Sequence, residues 1–175
     1  MFDILEILVD TLPPEMRSDT FVKVVNATLE REAVGYRLVG GQVLQITDEE
    51  ELRAIDAAID VAPSPVKIHL QNALRHLADR RAPDYRNSIK ESISAVESVV
   101  KLIAKDDKST LGQLLKRMAL HQALEKGFAA MYGYTSDADG IRHGLMDQPA
   151  LSASDARFFL VICSAFVNYA LEKAR

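Results

Sequence analysis

Residues 132–146, Tyr132-Gly133-Tyr134-Thr135-Ser136-Asp137-Ala138-Asp139-Gly140-Ile141-Arg142-His143-Gly144-Leu145-Met146, gather the side chains best suited to chemistry. Three glycines punctuate two Tyr, two Asp, an Arg and a His, and the flanks are helical and apolar in pattern. Arg142 offers a permanent charge on a bidentate fork, and His143 titrates near neutrality. RNA cleavage through its own 2′-hydroxyl needs that pair of functions, acid–base help and charge stabilisation, and needs no metal. The same residues also read as a helix end, with cations at the negative pole of the dipole and Gly144 following. Both readings stand at this point.

Elsewhere the chemistry is thinner. Asp137, Asp139 and the nearby Asp147 lack the later Gly and terminal Glu of a calcium loop, so turn-forming and capping roles are expected. His69, His76 and His121 have no Cys or acidic partner at ligand spacing, and no metal site is expected. Arg117 and His121 are four apart, which would put them on one helix face. A local basic concentration runs from Arg75 through Arg80, Arg81 and Arg86 to Lys90, against Asp79 and Asp84. Such a junction is ordinarily solvated; beside Arg142 it would form a phosphate-contacting rim. The sequence has no Gly-rich phosphate loop, nucleophile elbow or dinucleotide fingerprint, and no cofactor is expected.

With 175 residues the chain has the length of one domain plus a small N-terminal appendage, enough to bury a core without metal or disulfide. A net charge of −4 argues against broad, non-specific nucleic-acid binding, so any RNA contact must be local. Cys163 is the single cysteine and falls in an apolar run, the setting of a buried core thiol. The N-terminus lacks a basic leader pattern. The apolar run 158–171 is 14 residues, short of the roughly 20 that span a bilayer. A soluble, cytoplasmic protein is expected.

These residues need elements to hold them. Helical patterns are expected over residues 2–11 and about 19–32. Residues 36–46 then form two β-prone runs around Gly40-Gly41, a hairpin signal because both glycines accept positive φ. An isolated hairpin is marginal, so it must pack on the helices or pair with another chain. Thr47 with Glu50 predicts a capping box opening a helix to about residue 61. Ser64-Pro65 opens another, reaching about residue 80. A long helix is expected from 84 to 104, with Ile89, Ile93, Val96, Val100 and Ile103 on one stripe. Ser88, Ser92 and Ala95 form a strip of small residues that admits a close neighbour. Ser109 or Thr110 caps the next helix, and the helical pattern continues to the central loop. Ser152 and Asp155 have capping-box spacing, and the last helix, from 156 to about 173, is apolar on nearly every side. It belongs in the middle of a bundle or against another subunit. The fold class expected is mainly α, a helical bundle with one small β-hairpin near the N-terminus.

Several strings resemble known families together. Tyr36-Arg37-Leu38-Val39-Gly40-Gly41-Gln42, followed by Ile46-Thr47-Asp48-Glu49-Glu50-Glu51-Leu52, is similar to the end of an AbiJ-type N-terminal domain of bacterial abortive-infection proteins. Residues 84–98 and 132–144 resemble the HEPN-like domain that often follows it. The resemblance divides the chain at residue 61: residues 1–61 as the N-terminal helices and hairpin of a partial AbiJ-type region, 62–175 as the HEPN-like helical domain. It implies an RNA-acting protein of a defence or toxin-type system, a homodimer, with RNA and an antitoxin or defence-system protein as partners. Many HEPN domains are metal-independent endoribonucleases whose motif is an Arg with a His after four to six intervening residues. Arg142 and the polar His143 match the opening of that motif. After four intervening residues this sequence has Asp147 instead. Either His143 takes over proton transfer, or the site binds without cutting. The resemblance thus implies Arg142 and His143 as catalytic residues, with Arg86, Lys90, Tyr134 and Asp139 positioning substrate. The alternative is a non-catalytic module binding RNA, nucleotide or protein.

Overall fold

The computed structural model describes residues 2–13, 19–46, 48–136 and 151–175. Within them lie helices α1 (Phe2–Thr11) and α2 (Asp19–Arg31), strands β1 (Arg37–Val39) and β2 (Gln42–Leu44), then α3 (Glu49–Val61), α4 (Ser64–Ala78), α5 (Tyr85–Ala104), α6 (Leu111–Arg117), α7 (Gln122–Ser136) and α8 (Ala153–Lys173). The mainly α fold with a single antiparallel hairpin is as the sequence predicts.

The hairpin turns on Gly40 (φ +52) and Gly41 (φ +83), the two positive-φ residues that a two-residue primed turn requires. Leu38 pairs with Val43, Arg37 with Leu44 and Val39 with Gln42. Because partners share a face and the period is two, the hairpin has two apolar sides. Leu38 and Val43 join Val9, Phe2, Leu5, Phe21 and Val25 under α1 and α2. Val39 and Leu44 enter the main core instead. The marginal hairpin therefore survives by being buried on both faces, the first of the two options its sequence left open.

The main core centres on α5, which packs most closely against α4 and α8. Ile89, Ile93, Val96 and Val100 are buried as the stripe requires, and Ile103 is half-buried against them. The small-residue strip is also fully buried: Ser88 Oγ donates to Ala73 O on α4 at 2.8 Å, and Ser92 Oγ to Ser88 O at 2.9 Å. Each serine thus lets the α4 and α5 backbones approach while its hydroxyl stays satisfied. α8 spans 21 residues and by length and composition could cross a membrane, longer than the apolar run 158–171 alone indicates. Ala156, Phe159, Leu160, Cys163, Phe166, Val167 and Ala170 commit one side of it to the core, against α5, α3 and α4. Burial pushes the Cys163 thiol well above the usual range, so it remains an inert core group.

Helix ends depart from expectation in instructive ways. α3 is capped by Asp48, whose carboxylate accepts from the amides of Glu50 and Glu51, one position after the expected Thr47, which lies outside the described residues. An aspartate with two amide donors competes well for the same role. Ser64 and Pro65 are the first two residues of α4, and Pro63 takes the cap position without a side-chain hydrogen bond. α4 stops at Ala78, short of residue 80, because the Asp79 carboxylate takes the amides of Arg81 and Ala82 into a turn. Thr110 with Gln113, and Ser152 with Asp155, make reciprocal capping boxes. Ala119 (φ +50) breaks the helical pattern between α6 and α7, so Arg117 and His121 do not share a helix face. Arg117 pairs with Asp106 at 2.6 Å, and His121 Nδ1 accepts the Ala123 amide.

A Cβ on Gly40 would come within 2.7 Å of Leu74 Cδ2 and 2.9 Å of Ile59 Cδ1, at a left-handed φ. Gly40→Ala should cost about 2 kcal/mol in a chemical-denaturation midpoint series. Gly112→Ala, with open space around it, should be neutral or stabilising. Asp106 accepts from the Ser109 hydroxyl and amide, the Lys108 amide and Arg117, which together hold its carboxyl well below the ordinary range. Its contribution is complete above the ordinary carboxylate pKa and is lost as pH falls below about 4. Asp106→Asn should therefore lower the melting temperature at neutral pH and leave a smaller difference from the wild type at pH 3.

Candidate functional site: a cleft at the hairpin–bundle junction

Arg80, in the connection between α4 and α5, is a side chain that ties together segments far apart in sequence. Its Nη2 lies 2.9 Å from Glu6 Oε2 and also pairs with Asp3, while its Nη1 donates to Glu6 Oε1 at 3.1 Å. The guanidinium sits over the Phe2 ring, 5.6 Å from its centroid. Glu6 Oε1 accepts the Val43 amide at 2.8 Å, and Arg80 Nη1 reaches the Val43 carbonyl at 3.5 Å. Hydrogen bonding to Arg80 in turn holds the Asp3 carboxyl below its usual pKa. One fork thereby locks α1 to the hairpin and both to the bundle.

Beside this lock opens a cleft of about 720 Å³. The hairpin side supplies Tyr36 and the segment Val43–Ile46, α4 supplies Leu77, the α4–α5 connection supplies Asp79, Arg80 and Pro83, and α5 opens with Tyr85. The start of α8 contributes Ala153, Ser154 and Arg157. Arg157 Nη1 donates to Gln45 O at 3.3 Å, and its Nε lies 4.0 Å from Glu51 Oε2. Sequence reasoning missed Arg157 and Tyr85. The first turn after the Ser152 capping box was a visible signal for a helix start, but Gln45 lies 112 positions away.

The residues singled out by sequence are placed as follows. Arg142, His143 and Asp139 lie outside the described residues. Tyr134 falls in the last turns of α7. Arg86 and Lys90 occupy the first two turns of α5, Arg86 half-buried and Lys90 exposed, and neither lines the cleft. The basic concentration does not act as one surface: Arg80 is consumed by Asp3 and Glu6, and Arg75 donates to Asn72. His69 does find an acid that sequence spacing hid, with Nδ1 2.8 Å from Glu91 Oε2 across α4 and α5.

If Arg80 holds the N-terminal helix in place, Arg80→Ala should accelerate amide hydrogen exchange across residues 5–11 by about tenfold or more. Amides in α5 and α8 should exchange as in the wild type, and equal protection of α1 in both proteins would exclude the locking role.

Comparison with known proteins adds one finding. No curated protein and no solved structure matches the chain. The family model of AbiJ N-terminal domain 4 matches residues 1–61. The match includes α1 and α2 as well as the hairpin and α3, so the similarity read from residues 36–52 as the end of such a domain extends back to residue 1. Residues 1–61 are thus similar to an AbiJ-type N-terminal domain.

Proposed function

We propose that this chain is a cytoplasmic, RNA-acting protein of a bacterial defence or toxin-type system, with a HEPN-like domain over residues 62–175. The observation that carries the reading is the AbiJ-type match over residues 1–61, with a helical chain after it that contains the Arg142-His143 pair in the segment between α7 and α8. In the catalytic form, Arg142 stabilises the negative phosphate while His143 moves the proton of the attacking 2′-hydroxyl. Arg86 and Lys90 on α5, with Tyr134 and Asp139, position the strand. A homodimer is part of the proposal, and the exposed Phe158 (55%) and Tyr169 (40%) of α8 are apolar groups available for it. An antitoxin or defence-system protein is the further partner.

The second reading is a binding module without cleavage. It is favoured by Asp147 where the motif His is expected, by the net charge of −4, and by the neutralisation of Arg80 within the fold.

Purified full chain incubated with total RNA in excess chelator separates the two. Cleavage is expected, with Arg142→Ala and His143→Ala each losing about 100-fold or more in rate. A 2′-deoxy substitution at the cut site should block that cut. Intact RNA together with salt-sensitive RNA retention would instead support the binding module. Cutting undiminished by both substitutions would overturn the assignment of these two residues.

A further inference from the structure

We propose that the junction cleft binds an extended peptide segment of a protein partner, which adds to the outer edge of β2 as a parallel strand. The two edges of the hairpin are closed unequally. On β1, Asn26 gives both groups of its side-chain amide to Leu38, at 2.7 and 2.9 Å. On β2, Glu6 holds the Val43 amide at 2.8 Å, but Arg80, committed to Asp3 and Glu6, reaches the Val43 carbonyl only at 3.5 Å. That is longer than the roughly 2.7–3.2 Å of an ordinary N–H···O bond. Leu44 pairs with Arg37, so its carbonyl faces β1 and the Gln45 amide, across the same trans peptide, faces away from it. Gln45 is exposed, and its amide has no acceptor among the described residues. The Gln45 carbonyl takes Arg157 Nη1 at 3.3 Å.

These groups select a direction. An antiparallel strand would need both backbone groups of Val43 or both of Gln45, and Glu6 and Arg157 already hold one of each. In a parallel pair, one residue of the added strand lies beside Leu44, donates to the Val43 carbonyl and accepts the Gln45 amide. Those are the two outward groups that this edge leaves underused. Extended peptides add to sheets at such edges, backbone bonds giving affinity and alternate side chains specificity. The cleft of about 720 Å³ runs along residues 43–46 and offers walls to both sets of side chains. On the Leu44 face stand Leu77, Ala78 and the half-buried Tyr85; on the Val43 face stands Tyr36. The one carboxylate in the lining, Asp79, is spent on the amides of Arg81 and Ala82. Arg157 meets Glu51 only at 4.0 Å, so its charge favours an acid on the peptide. The segment is therefore apolar or aromatic beside Leu44, with a carboxylate within reach of Arg157. This gives the defence-system protein partner a place and a mode of binding, and it rests on that part of the functional reading, not on RNA cleavage.

The test needs no RNA. A random octapeptide library displayed on phage is selected against the full chain, and the best binder is synthesised. Acid-bearing sequences should be enriched, and the bound peptide should slow hydrogen exchange of the Gln45 amide about tenfold or more. N-methylation of the peptide backbone should weaken binding about tenfold or more at alternate positions and leave it unchanged at those between, since only every second N–H faces β2. Gln45→Pro removes an N–H that the fold does not use and follows a residue already extended, so it should abolish binding without lowering the melting temperature. If that variant is less stable, the exchange and methylation measurements decide. The proposal is overturned if the library yields no binder, if the Gln45 amide exchanges as fast with peptide bound, or if N-methylation is tolerated at every position.

Discussion

A two-stranded hairpin has two open edges, and this fold closes both with side chains. Leu38 and Val43 form the pair whose backbone groups point away from each other. At one edge, the Asn26 amide satisfies Leu38 completely, donating to its carbonyl at 2.9 Å and accepting its amide at 2.7 Å. At the other, Glu6 accepts the Val43 amide and Arg80 reaches the Val43 carbonyl. Asp56 of α3 takes the Gly40 amide at the turn. Buried backbone groups without partners would cost about 1–3 kcal/mol each, more than so small a sheet could offset. The side chains that meet this demand come from α1, α2, α3 and the α4–α5 connection, and so the hairpin is also what holds those elements together.

This arrangement makes the AbiJ-type segment an integral part of the molecule. The apolar core runs across residue 61: Leu52, Ile55, Ala58 and Ile59 of α3 belong to the same buried cluster as Leu74, Val96 and Phe166. Asn168 of α8 donates to Ala54 O, and Arg157 of α8 to Gln45 O, which fastens the last helix to both α3 and the strand exit. Any event that shifts α8 must therefore be felt at the hairpin, because close-packed interiors transmit displacement instead of absorbing it.

The distribution of charge follows from the same geometry. Asp3 and Glu6 of α1 draw Arg80 inward, and Asp106 draws Arg117. What looks in the sequence like a basic strip from Arg75 to Lys90 is divided among local duties.

Much of the local structure was legible in the sequence because it rests on interactions a few residues apart. The bounds of α1, the Gly40-Gly41 turn, the Thr110 and Ser152 boxes, the α5 stripe and the Ser88–Ser92–Ala95 strip all follow from turn chemistry and helical period. The Arg142–His143 pair was equally visible as residue types, but a motif identifies chemistry without fixing its neighbours. Only tertiary structure decided that Arg80 meets Glu6 across 74 positions, that His69 meets Glu91, and that Tyr36, Tyr85 and Arg157 share one cleft. The physical reason is range. Capping and periodicity are written in consecutive residues, whereas which charged or aromatic side chains meet depends on how the packed helices are oriented, and that is set by the whole core at once.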